Sequence, residues 1–169
     1  MGSEEESEEV SVCVCSVFVS VVVSVRVSVV VSVDASEEYM QAAKDYAVAL
    51  GLAFQIKDDI LDYDGTESVG KPLGVDILEQ KITMPLLGAL KSVSSQEQER
   101  VREMVKNIVG KPELRDEIVS FVKENGGLEY SVSRLNEYVE AAVRALDVLP
   151  ESEEKEFLIK LAQYTAKRD

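Results

Sequence analysis

The sequence predicts an all-α chain, and three observations carry the prediction. From Ser36 onward apolar residues recur at helical spacing, most clearly at Leu128, Val132, Leu135, Tyr138, Val139, Ala142, Val143 and Leu146. Capping and breaking residues punctuate that pattern at helix-length intervals. No alternating strand pattern follows residue 36. Three regions are expected: an acidic, disordered start over 1–9, a Val/Ser low-complexity segment over 10–35, and a helical domain over 36–169.

The first helix is expected from a Ser36 cap through Glu37 and Glu38 to about Tyr63. The stretch TESVGKPLG then breaks it with Gly70, Pro72 and Gly74. Residues 75–92 read as helix again, with a kink or broken turn at Pro85. Ser94 and Glu97 form a capping box for a helix over 95–109. Pro112 opens a further helix that stops at Asn125-Gly126-Gly127. Residues 128–149 carry the stripe named above, Pro150 breaks it, and the last helix covers 152–167.

Residues 10–33 read in three ways. Every odd position from Cys13 to Val33 is apolar, as in a strand, but 24 residues far exceed the usual strand of about 5–6. Ser16, Ser20, Ser24, Ser28 and Ser32 recur every fourth residue, which makes a small polar stripe on a helix. The length also suits a membrane span of about 20 residues, although Arg26 lies inside it and acidic residues precede it. A helix packed on the rest of the chain is preferred, and membrane contact is not favoured. Cys13 and Cys15 stand one residue apart with no further Cys or His, so they read as small apolar residues and a cytoplasmic setting is expected.

Charge narrows the function. Thirty-two acids against 18 bases leave a net charge of −14, which argues against a nucleic-acid partner. The absence of histidine removes the commonest general base, the usual zinc ligand and every Ser-His or Cys-His nucleophile. Acidity is compatible with recruiting divalent cations.

The sharpest feature is LGLAFQIKDDILD, where Asp58, Asp59 and Asp62 sit among Leu52, Phe54, Ile56, Ile60 and Leu61. On a helix Asp58 and Asp62 share a face at i and i+4, with Asp59 beside them and Gln55 one turn earlier. Three carboxylates against apolar neighbours call for compensation, and Lys57 is one cation for three charges. Mg²⁺ fits, because it takes oxygen ligands and is held by one or two carboxylates plus substrate phosphates. That points to a diphosphate substrate, with Lys71 and Lys81 as candidate phosphate contacts. The competing reading is a helix end whose charges face water. A calcium loop around Asp62-Tyr63-Asp64-Gly65 fails on register, since its first and twelfth positions would be Ile60 and Lys71.

The ordered set Phe54-Gln55, Asp58-Asp59-x-x-Asp62, Gly70-Lys71-Pro72, Gly74 with Asp76, Lys81, Thr83 and Pro85 resembles the second aspartate-rich region of the trans-type polyprenyl diphosphate synthases. The resemblance runs over about residues 36–169 and implies part of an isoprenoid-synthase helical bundle. It implies that Asp58, Asp59 and Asp62 hold Mg²⁺, that Asp58, Asp59 and Lys71 serve the chemistry, and that Gln55, Lys71, Lys81 and Arg168 bind substrate. The substrates would be an allylic diphosphate and isopentenyl diphosphate. The family's other aspartate-rich motif has no counterpart in residues 1–35, whose one aspartate is Asp34. The chain is therefore expected to resemble the C-terminal half of a synthase, to have little activity alone, and to pair as a homo- or hetero-oligomer. A non-catalytic partner subunit and a membrane-anchored helical protein are the rival readings.

Overall fold

The computed structural model describes residues 36–64 and 74–167. The expectations for residues 1–35, for Lys71 and for Arg168 lie outside the described residues. Seven helices and no strand are present among the described residues: α1 (Glu37–Asp64), α2 (Val75–Leu78), α3 (Met84–Lys91), α4 (Ser95–Asn107), α5 (Leu114–Glu124), α6 (Gly127–Ala145) and α7 (Glu153–Lys167). The all-α expectation is met.

Helix α1 buries one stripe along its whole length, Ala42, Tyr46, Ala49, Ala53, Ile56, Ile60 and Tyr63. These positions alternate steps of three and four residues, the spacing that keeps side chains on one face of a helix. Apart from Tyr46, the stripe is small up to Ala53 and large from Ile56 onward. The described residues group into two compact units, 36–55 with 136–167 and 56–64 with 74–135, and α1 contributes to both.

In the first unit the Tyr46 hydroxyl donates to the Leu158 carbonyl at 2.8 Å, tying α1 to α7. Lys155 is buried, and its ammonium donates to the Leu149 carbonyl at 3.0 Å and to Glu151 at 2.7 Å. It thereby satisfies a carbonyl in the turn after α6, while its own backbone N–H is capped by Ser152. The charge is tolerated because the ammonium has partners.

In the second unit α5 is central, touching α2, α3 and α4. Ile118, Phe121 and Val122 of α5 meet Ile77, Leu86, Ala89, Val101 and Tyr63 in one apolar cluster. Residues expected as one helix over 75–92 form two. The chain leaves α2 after Leu78, turns through Gln80 at φ 60°, and re-enters a helix at Met84 with Pro85 in its first turn. Proline costs no hydrogen bond there, because first-turn N–H groups have no intrahelical acceptor. The capping box before α4 is half formed. Ser94 accepts the Glu97 N–H, but the Glu97 carboxylate is taken by Arg100 at 2.7 Å.

The two glycines after α5 do different things. Gly126 sits at φ 72°, the left-handed end expected after a helix. Gly127 opens α6 against Pro85, and a Cβ there would collide with the Pro85 carbonyl oxygen and come within 2.8 Å of Val122 Cγ1. Gly127→Ala is therefore expected to cost about 1–3 kcal/mol, the usual penalty of overpacking, read as a lower urea midpoint. An unchanged midpoint would mean that α6 does not seat on Pro85.

Candidate functional site

The aspartate trio lies on the last two turns of α1, within the second unit. Asp59 falls between Ile56 and Tyr63 on the buried stripe and is only 8% exposed. Asp58 and Asp62, at i and i+4, are both half-buried. Gln55, also half-buried, stands on the same helix one turn before Asp59. The face inferred from spacing is present, with Asp59 turned further inward than its neighbours.

Asp62 clasps the start of α2. Its carbonyl accepts the Gly74 N–H at 2.9 Å. Its carboxylate accepts the Val75 N–H at 3.1 Å on Oδ1 and the Asp76 N–H at 3.2 Å on Oδ2. Those amides open a helix and have no intrahelical acceptor, so a carboxylate there meets both unsatisfied donors and the positive helix end. Asp59 does the same for α3, where its Oδ2 accepts the Met84 N–H at 3.1 Å. Beside it the Tyr63 hydroxyl and the Thr83 hydroxyl share a buried hydrogen bond of 3.0 Å.

These contacts revise the electrostatic reasoning from sequence. Spacing left Lys57 and an external cation as the compensators, but part of the compensation comes from backbone N–H groups of the next two helices. The trade is not complete at Asp62. Burial raises its pKa, the amides of Val75 and Asp76 pull it down, and the Asp76 charge pushes it up again; the net direction is upward. Asp62 therefore gains from a further positive charge.

Lys81 does not stand over the trio itself. Its ammonium pairs with Asp76 at 2.9 Å and with Glu79 at 2.6 Å, and its side chain is about half exposed. These contacts, Glu79 first, raise its pKa, so it stays a cation. Asp76 links the two groups, because its N–H binds Asp62 while its carboxylate holds Lys81. Spacing could not reveal that link, because Asp62 and Asp76 stand 14 residues apart in sequence. Lys71 and Arg168 lie outside the described residues.

Among the described residues no group of three or more acidic side chains converges closely enough to hold a metal ion. The donors are nonetheless of the type Mg²⁺ takes, hard carboxylate oxygens. Each Asp62 oxygen that accepts one N–H keeps further lone-pair capacity. The set fits an ion that binds one or two carboxylates and completes its shell with water and phosphate, rather than an all-protein cage.

The clasp makes a structural prediction that does not depend on metal. With a chelator present, Asp62→Ala should lower the unfolding free energy by about 1–2 kcal/mol, as lost helix caps do, measured by urea titration. Equal stability of variant and parent would show that the carboxylate does not hold α2.

Residues 15–122 match the family model described as polyprenyl synthetase. The octaprenyl diphosphate synthase of Haemophilus influenzae is 39% identical over 135 residues, covering 79% of this chain and 41% of that protein. Heptaprenyl diphosphate synthase component 2 of Geobacillus stearothermophilus is 36% identical over 123 residues, covering 71% of this chain and 37% of that protein. The solved geranylgeranyl pyrophosphate synthase of Corynebacterium glutamicum, complexed with calcium and isoprenyl diphosphate, superposes with a TM-score of 0.67 at 30% identity. That superposition covers 79% of this chain and 41% of the other. The chain thus spans about two fifths of the length of these relatives, and it belongs to the polyprenyl synthetase family.

Proposed function

We propose that the chain carries the aspartate-rich, diphosphate-binding face of a Mg²⁺-dependent prenyl transfer in isoprenoid biosynthesis. In that reaction an allylic diphosphate ionises at its C–O bond, the double bond of isopentenyl diphosphate attacks the allylic carbon, and a proton is lost. Asp58, Asp59 and Asp62 would hold the ion. When bound, Mg²⁺ neutralises the charge that grows on the departing diphosphate.

The chain's own residues do the rest. Lys71, three positions before Gly74 in the sequence, and Lys81 bind diphosphate oxygens. Gln55 lines the same site, and Arg168 helps bind the isopentenyl diphosphate. The observation that carries the reading is the Asp62–Asp76–Lys81 connection, in which the Asp76 N–H binds the Asp62 carboxylate and the Asp76 carboxylate holds the Lys81 ammonium. The named relatives support it: they are prenyl diphosphate synthases, and one was solved with a divalent cation and an isoprenyl diphosphate.

The 169 residues hold one aspartate-rich motif, and the reaction needs charge stabilisation beyond it. The chain alone is therefore proposed to turn over little. A second reading has the chain act as one component of a multi-chain synthase. One relative is named as a component, and Phe157, Leu161 and Tyr164 lie exposed along one side of α7. No helix among the described residues is long and apolar enough to cross a membrane.

Mg²⁺ with inorganic diphosphate should raise the melting temperature by several degrees, since a ligand at 100 times its Kd adds about 2.7 kcal/mol. The Asp58→Ala/Asp62→Ala chain, compared with its own unliganded baseline, should lose that gain. An equal gain in the double variant would place the ligand elsewhere. Robust product from isopentenyl and allylic diphosphates by the chain alone would overturn the proposal that it turns over little.

A further inference from the structure

We propose that Gln80 is a positioning residue, whose left-handed turn and tether to the end of α4 fix where the Lys81 ammonium stands beside Asp76 and Glu79. The inference rests on the reading above in which Lys81 faces a diphosphate.

Gln80 is the one non-glycine residue at positive φ among the described residues, at 60°. Glutamine has no local reason to adopt that conformation, which costs an L-residue energy that glycine does not incur. Such a residue persists where its surroundings hold it, and here they do. The Gln80 backbone N–H donates to the Ile77 carbonyl at 2.9 Å. Its side-chain Nε2 reaches the carbonyls of Lys106 at 2.9 Å and Val105 at 3.4 Å, 26 and 25 residues away. Those carbonyls belong to the last turn of α4, where the Val105 carbonyl already accepts the Ile108 N–H at 3.3 Å and the Lys106 carbonyl takes the shorter Gln80 bond. One amide group therefore satisfies the end of α4 and pins the turn that follows α2.

The next residue shows what the turn delivers. The Lys81 N–H donates to the Asp76 carbonyl at 3.0 Å, and its ammonium returns to the Asp76 carboxylate at 2.9 Å. Asp76 in turn donates its N–H to Asp62. The connection runs from α4 through Gln80, Lys81 and Asp76 to the aspartate face. If the turn relaxed to negative φ, Lys81 would leave this arrangement, although its charge would be unchanged. The lysine's long stem does not fix its own position, because an exposed ammonium on four rotatable bonds gains little from ion pairing alone.

A double-mutant cycle on the whole chain separates positioning from mere stability. Inorganic diphosphate is titrated calorimetrically, in excess Mg²⁺, into the parent, Gln80→Gly, Lys81→Ala and the double variant. Glycine keeps the left-handed turn accessible and removes only the tether. Gln80→Gly is expected to weaken diphosphate binding about fivefold in the parent background and not at all in the Lys81→Ala background, as for two coupled neighbours. The same loss in both backgrounds, or no loss in either, overturns the positioning role. No loss in Lys81→Ala overturns the diphosphate role of Lys81 and the inference built on it. A second readout needs no ligand: the acetylation rate of Lys81, mapped by peptide mass and normalised to Lys91 in the same sample. It should rise in Gln80→Gly, and an unchanged ratio counts against the proposal.

Discussion

The clasp between Asp62 and the opening amides of α2 is the contact on which the site depends. One residue supplies three acceptor contacts, its carbonyl to Gly74 and its carboxylate to Val75 and Asp76. Asp59 repeats the device for α3 through Met84. Two short helices, one of four residues and one of eight, thus start where α1 places a carboxylate. Helices that short are marginal alone and take their stability from tertiary contacts. The carboxylates are accordingly part of the fold as well as candidates for chemistry. A metal or phosphate would meet side chains already oriented.

This double use explains how an acidic face survives in apolar company. A buried carboxylate is costly when alone, but a hydrogen bond to a charged group is worth about 1.5–3 kcal/mol, and helix-opening amides add a favourable dipole. The compensation is uneven. Asp62 stays above its ordinary pKa, chiefly through burial. Asp76 carries its charge into the same neighbourhood and brings Lys81 with it.

Much of this was legible in the sequence. Helix existence followed from periodicity, and several helix ends from Ser36, Ser94 and Gly126, because these signals are local, whereas the helix expected to reach 149 ends at Ala145. The face shared by Asp58 and Asp62 followed from their i, i+4 spacing, and the family from the ordered residues between Phe54 and Pro85. What spacing could not show depends on chain reversal. The break of the 75–92 helix at Gln80 has no glycine to announce it, and its cause is a side-chain contact to carbonyls 25 and 26 residues away. Gly127 read as part of a helix stop, whereas its lack of a side chain lets α6 meet Pro85. The amide partners of Asp59 and Asp62 lie 25, 13 and 14 residues on, which no local rule reaches.

The clasp can be observed directly through amide hydrogen exchange at Val75, Asp76 and Met84, followed by NMR in the presence of a chelator. These amides open helices and would exchange quickly without a side-chain acceptor. Slow exchange at all three is the expected result, with Val75 and Asp76 released in Asp62→Ala and Met84 released in Asp59→Ala. Exchange at the rate of an exposed chain in the parent protein would contradict the account, because α1 would then not be placing the two helices that flank Lys81.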